Sequence, residues 1–320
     1  MTIHWFDDGP TETATVGGKG ASLIEMLNAG LPVPPGFCIN VEGYQRFEEA
    51  AGLANMVSTL AQAPALTSPS GAADAAAPLQ AHLENSALPD PLRSQIEDAY
   101  GELCDRLAGR RLVASRSSAI CEDGATASFA GIYETYLHLE GAAPVANSVL
   151  DCYRALWDPR AVQYRASRGI DQTEEQMAVV VMGMIPADVA GVAFSANPIT
   201  GERREVMINA SWGLGESVVS GQVMPDNVVA SKDDGRAVAY EIGDKSMEIV
   251  LDEVAGSGTE ERAVDPDRAA TPCLSEDDVA AVTDLARRAE DHYGVPQDIE
   301  FARVGEDWYL LQSRPITGLA

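Results

Sequence analysis

Apolar positions recur at helical spacing through most of the first half of the chain. In the second half they run together or alternate, as in strands. After Gly17-Gly18-Lys19-Gly20, read as a loop, the stretch ASLIEMLNAG puts Leu23, Met26 and Leu27 on one helical face, with Gly30 as its stop. LPVPPGFCI (31–39) holds three prolines and must be extended; Asn40 then suits the N-cap of VEGYQRFEEA. The Ala, Pro and Ser of 63–78 read as a loose connection, and a helix follows over 91–108. LVASRSSA, from Leu112, reads as a strand entering a polar turn, 129–140 as strand, and 147–169 as helix broken at Pro159.

MAVVVMGMI (177–185) is a continuous apolar run suited to a buried strand. GVAFSANPIT, EVMINASWG and NVVASK follow as strands punctuated by Gly and Asn. Ser275 and Asp278 form a capping-box pattern that opens a helix to Tyr293, closed by Gly294 and Pro296. No internal repeat is present, and the elements lack a steady βαβ beat. The pattern predicts an α+β fold rather than a doubly wound one, divided at 1–180 and 181–320.

The last strands allow a geometric argument. DIEFARV (298–304) and DWYLLQSRPI (307–316) are separated by the turn-like Gly305-Glu306-Asp307, and a three-residue turn centred on Glu306 sets Ala302 opposite Leu310, Glu300 opposite Gln312 and Asp298 opposite Arg314. Alternation then puts these six on one side and Ile299, Phe301, Tyr309 and Leu311 on the other, as a core face. A carboxylate beside a carboxamide suits Mg²⁺, and the arginine suits a phosphate. The same spacing also describes a solvated hairpin with ordinary cross-strand polar pairs.

Composition narrows the partners. The chain has 22 basic and 49 acidic residues, a net charge of −27, which repels nucleic acid and anionic membranes. An anion site therefore has to be a local cluster of Lys, Arg and backbone N–H groups. No apolar run is long enough to span a bilayer, and MTIHWFDDGP is no secretory signal, so a cytoplasmic protein is expected. Five scattered cysteines, without a CxxC pair, point to neither a disulfide framework nor a zinc site. The four histidines stand apart from one another.

Three further segments carry candidate chemistry, each with a plainer alternative. Gly17-Gly18-Lys19-Gly20 before a helix suits a phosphate cradle or a flexible turn; it is not a Walker A sequence. Ser115-Arg116-Ser117-Ser118 suits an anion pocket, or a surface turn with Arg116 paired to Glu122 or Asp123. Trp212-Gly213-Leu214-Gly215-Glu216 suits close backbone approach to a ligand, with Glu216 as a second metal or orienting group, or a tight turn beside a core tryptophan.

Taken together, GGKGASLIEMLNAGLPVPPGFCI, SRSSAICEDGATASFAGIYETYL, AGVAFSANPITG, WGLGESVVSG and DIEFA…WYLLQSRPIT resemble the nucleotide domain shared by phosphoenolpyruvate synthase, pyruvate phosphate dikinase and rifampin phosphotransferase. The blocks occur in that family's order from residue 16 to residue 317. The resemblance implies an ATP-grasp fold with ATP in a cleft between two lobes. It implies Lys19 and Arg116 on the nucleotide phosphates, and Gly131 and Thr135 in the segment covering the nucleotide. It further implies Glu300 and Gln312 as the Mg²⁺-binding pair and Arg314 as the terminal phosphate arginine. Lys19, Arg116 and Arg314 would be the catalytic cations. Two departures are visible: Met182 stands where relatives usually carry Gln, and ASRSSAICED where they commonly carry VRSSATAED. No histidine here has the T-S-H-A-like context of the family's phosphorylated residue. The resemblance therefore implies an ATP- and Mg²⁺-dependent phosphotransferase nucleotide domain. It would phosphorylate a histidine on a partner protein or missing domain, releasing AMP and phosphate. A self-contained small-molecule kinase and a non-catalytic nucleotide-binding module are the alternatives.

Overall fold

The computed structural model describes residues 1–120, 132–133 and 135–319. The chain folds as two compact units, Met1–Ile24 with Pro35–Gly183, and Glu25–Pro34 with Met184–Ala320. Every strand-to-strand ladder described is antiparallel, giving a mixed α/β protein without parallel βαβ units.

The first unit comprises β1 (Ile3–Trp5), α1 (Thr13–Asn28, whose last turn belongs to the second unit), β2 (Gly36–Ile39), α2 (Val41–Ala51), α3 (Ala54–Ala61), α4 (Pro69–Glu84), α5 (Asp90–Arg106), β3 (Leu112–Ala119), β4 (Thr135–Glu140), α6 (Ala142–Ala155), α7 (Pro159–Ser167) and β5 (Met177–Gly183). Its sheet runs β1-β2-β5-β3-β4. Phe37, Ile39, Val179 and Val181 join Tyr44, Phe47, Val149 and Tyr153 in one buried core on the side of α2 and α6. Burial of each large apolar side chain there contributes about 1.5–3 kcal/mol. The opposite parity of β2, which carries Cys38, meets α1, where a Cβ on Gly20 would lie 3.2 Å from the Cys38 Sγ.

Several expectations need correction. Residues 69–84 are not a loose connection but helix α4. Ser68 caps it by accepting from the Gly71 N–H, Pro69 occupies the first turn, and Ala72, Ala76, Leu79 and Leu83 are buried. Asn40 does precede a helix, yet its side chain makes no cap; it donates to the Met1 carbonyl and meets His4 Nε2. The SRSS block does not turn: β3 continues through it to Ala119.

The second unit contains β6 (Val189–Phe194), β7 (Glu205–Trp212), α8 (Glu216–Val219), β8 (Asp226–Ser231), β9 (Ala237–Glu241), β10 (Met247–Leu251), β11 (Thr259–Ala263), α9 (Pro266–Ala269), α10 (Glu276–Tyr293), β12 (Gln297–Val304) and β13 (Asp307–Pro315). Its six-stranded sheet runs β13-β12-β6-β7-β8-β9, and β10 and β11 form a separate ribbon. Helix α10 opens on the expected reciprocal Ser275–Asp278 capping box and stops at the left-handed Gly294. Its buried Val279, Val282, Leu285, Ala286 and Ala289 lie on the apolar parity of the sheet, with Ala193, Ile208, Val228, Ile299 and Phe301.

At the end of the sheet, Asp226 and Lys245 are wholly buried and ion-paired. The same carboxylate accepts from the Tyr240 hydroxyl (2.8 Å) and the Gly243 and Cys273 N–H groups (2.9 and 2.7 Å). Burial by itself raises the Asp226 pKa, but the Lys245 ammonium and these donors outweigh it and hold the carboxyl below the usual carboxylate range.

Candidate functional site

In the first unit, α1 is interrupted at Gly17 (φ 71°, ψ 175°), so a second helical segment starts at Gly18 with Lys19 in its first turn. Ser118 of β3 holds that start in place. Its Oγ accepts from the Gly20 N–H at 3.0 Å and donates to the Val16 carbonyl at 2.9 Å. A Cβ on Gly17 would fall 2.0 Å from the Ser118 carbonyl oxygen, so only glycine fits. The Gly-Lys segment is thus a helix start packed on the Arg-Ser-Ser strand rather than a loop.

Alternation along β3 sorts the block into two faces. Ser115 approaches the Cys152 Sγ of α6 at 3.9 Å. Burial pushes the Cys152 thiol up to about 12, against the pull of the Ser117 and Ser115 hydroxyls and the Lys19 charge. Arg116 and Ser118 therefore lie on the α1 side. Arg116 is 9% exposed and stands opposite Thr135 of β4 and Val180 of β5, while Met182 stands opposite Ala114 on the same parity. Tyr133, just before Thr135, accepts at its hydroxyl from the fully buried Arg165, which also donates to Gln172 and the Leu156 carbonyl. Lys19's helical turn, Arg116 and Thr135 thus share one side of the first sheet. Gly131, Glu122 and Asp123 lie outside the described residues.

In the second unit, the hairpin pairs Glu300 with Gln312 and Asp298 with Arg314, as counted from sequence. The turn differs. Val304 pairs with Asp307 across the two residues Gly305-Glu306, and a bulge at Leu311 restores the register. Ala302 therefore faces Tyr309, not Leu310, and Leu310 faces Phe301 in the core. Tyr309 and Leu311 do not join Ile299 and Phe301; they pack with Ala302, Ile185 and Ala190.

Asp298 fixes the arginine: its Oδ2 accepts from Arg314 Nε at 2.9 Å and lies 2.8 Å from Arg314 Nη2. One side of the hairpin so carries a half-buried carboxylate, a buried carboxamide and a guanidinium clamped by a second carboxylate. The six-stranded register continues the Gln312–Glu300 row through Val192, Asn209 and Asn227. Asn209 sits at the same parity as the buried Ser211 in EVMINASW, a signal that counting strand alternation from Trp212 would have found. Among the described residues no three His, Cys, Asp or Glu side chains gather as a metal site. The donor set at Glu300 is instead one carboxylate with carboxamides, hard oxygens that fit a cation bringing its own waters and phosphates.

Glu216 lies elsewhere. It is exposed and accepts from Thr259 Oγ1 at 3.1 Å. The glycine segment before it is tied to the ribbon: Leu214 N–H donates to the Ile249 carbonyl, and a Cβ on Gly213 would sit 2.4 Å from that oxygen. Glu248, buried beside it, receives Arg262 and Arg268, and Arg268 lies over the Trp212 ring at 4.3 Å. The close approach made by these glycines is to the protein's own backbone.

Residues 13–320 match the family model described as pyruvate phosphate dikinase, AMP/ATP-binding domain. The chain is 37% identical to a probable phosphoenolpyruvate synthase of Methanothermobacter thermautotrophicus over 99% of its own length and 46% of the relative's. It is also 37% identical to the phosphoenolpyruvate synthase of Pyrococcus furiosus, covering 99% of this chain and 44% of that one. A rifampicin phosphotransferase of Streptomyces is 37% identical over 96% of this chain and 35% of its own. The chain spans less than half the length of these relatives. With the motifs in order and the match running through nearly all of it, the chain belongs to the pyruvate phosphate dikinase AMP/ATP-binding domain family.

Proposed function

We propose that the chain is the ATP- and Mg²⁺-dependent nucleotide domain of a cytoplasmic ATP-grasp phosphotransferase. It phosphorylates a histidine on a partner protein or further domain, with AMP and phosphate as the other products. The observation that carries this reading is the hairpin face: Glu300 opposite Gln312, two pairs along from an Arg314 clamped by Asp298. Glu300 and Gln312 would hold the cation, which when bound neutralises phosphate charge. Arg314 would take a phosphate through the geometry Asp298 imposes. Residues 1–180 would supply Lys19, Arg116, Gly131 and Thr135, and residues 181–320 the metal and terminal phosphate groups. The ATP-grasp assignment, and the use of one nucleotide by both, rest on family membership.

Phosphoryl transfer asks of a protein mainly positioning and charge neutralisation. In a chain of net charge −27, Lys19, Arg116 and Arg314 are the cations this reading assigns to the polyanion. The test is label transfer. The chain is incubated with [β-³²P]- or [γ-³²P]ATP, Mg²⁺ and the histidine-bearing region of a relative. Acid-labile label from the β position on that region, with AMP formed, is expected. ADP as the sole product with a small molecule, and no protein label, would replace this reading with a self-contained kinase.

A further inference from the structure

Residues in antiparallel register share a face, so Gln312, Glu300, Val192, Asn209 and Asn227 form one row across five adjacent strands, on the side away from α10. The flanking Ile208 and Ala210 are fully buried on the α10 side, which fixes Asn209 on the other. The Asn209 Nδ2 donates to the Asn227 Oδ1 at 3.5 Å. With its nitrogen turned toward Asn227, the Asn209 carboxamide offers its Oδ1 as an acceptor on the row. Ser211, two residues on at the same parity, buries a hydroxyl without a hydrogen-bond partner, so this strip of sheet carries more polar capacity than its own contacts use.

Distance decides what Asn209 does. Adjacent strands lie about 4.8 Å apart, which separates the Glu300 and Asn209 backbones by roughly 10 Å. One cation cannot be a direct ligand of both, since oxygen-to-magnesium bonds are about 2.1 Å. A cation on Glu300, one of its waters and a hydrogen bond from that water span about 7 Å from the carboxylate oxygen to an acceptor. The remainder is closed only if the Glu300 and Asn209 side chains lean toward each other over Val192, a condition the proposal sets. We propose that Asn209, oriented by Asn227, is an outer-sphere ligand, its Oδ1 accepting from a water on the divalent cation that Glu300 and Gln312 hold. This inference rests on the cation-binding reading of Glu300.

Mn²⁺ affinity, read by the electron paramagnetic resonance of free Mn²⁺, separates the two. Glu300→Ala is expected to abolish specific binding; Mn²⁺ binding unchanged by it would sink the reading of Glu300 and with it this one. Asn209→Leu is expected to weaken Mn²⁺ about 10–100-fold, the usual effect of losing a group that supports a metal through its ligands. Asn227→Leu should weaken it less. Asn209→Asp is nearly isosteric and keeps an acceptor oxygen, so it should tighten Mn²⁺ at high ionic strength as well as low, whereas a through-space effect of the added charge alone is screened by salt. If Glu300→Ala loses the ion while Asn209→Asp leaves the affinity unchanged or lowers it, Asn209 is not on the cation's water. The Asp variant decides the matter even where the Leu variant fails to fold.

Discussion

At the residue scale, glycines mark where backbone touches backbone. Gly17 combines φ 71° and ψ 175°, a region open essentially to glycine alone, with a Cβ position 2.0 Å from the Ser118 carbonyl oxygen. Gly30 has a similar φ of 72° and nothing within 4 Å. Gly30→Ala should therefore cost about 1–2 kcal/mol, the left-handed penalty alone. Gly17→Ala should cost roughly 3 kcal/mol or more and displace the start of the Lys19 helix from β3. Denaturant midpoints measure both; equal losses would show that the Gly17–Ser118 approach does not constrain the fold. The same logic separates the two glycine-rich motifs. One sets a lysine at a helix start held on β3, the strand of Arg116, while the other docks a loop on its own ribbon.

At the scale of elements, the polar half of the hairpin was legible because strand alternation fixes which residues pair once the turn is placed. Glu300 with Gln312 and Asp298 with Arg314 follow from counting. The other half was not. DWYLLQ offers apolar residues at both parities, so a two-residue turn followed by a bulge is indistinguishable from a three-residue turn. The consequence is local: Tyr309 and Leu311 change sides, and the site does not. Helix α4 is hidden by its Ala-, Pro- and Ser-rich composition, although Ser68-Pro69 is a helix-start signal and alanine a strong helix former. The short strand β1 and the β10–β11 ribbon carry no period of their own. Strand alternation in EVMINASW sorts Asn209 to the face of Ser211, but its place in the row of Glu300 depends on β6 lying between β7 and β12, a topology no local pattern encodes.

At the scale of the whole molecule, 49 acidic residues place stability and ligand binding under opposite demands. Acidification removes repulsion but also protonates carboxylates that the fold uses ionised. Asp226 is held below the usual range by Lys245 and its N–H and hydroxyl donors despite burial. Asp278 is likewise held down, burial opposing, by Ser275 and Arg303. A depressed folded pKa contributes stability that is present above the unfolded value near 4 and is lost as pH falls through the folded one. Asp226→Asn should destabilise the second unit by about 3–5 kcal/mol at neutral pH, because Lys245 is left buried and uncompensated. That gap should narrow steadily below about pH 4. Hydrogen exchange of the β8 and β9 amides reads it, and a gap independent of pH would mean that Asp226 titrates alike in the folded and unfolded chain, so that Lys245 and the other donors do not hold it down.

The most direct test of the central claim is ATP affinity, measured by calorimetry with and without Mg²⁺. Native protein should bind ATP more tightly with Mg²⁺. Arg314→Ala should weaken binding about tenfold or more, since a charged hydrogen bond contributes about 1.5–3 kcal/mol. Glu300→Ala should erase the Mg²⁺ dependence while leaving metal-free binding in place. A Glu300→Ala protein whose ATP affinity still rises with Mg²⁺ as in the native chain would contradict the assignment of the hairpin face as the metal and phosphate end of the site.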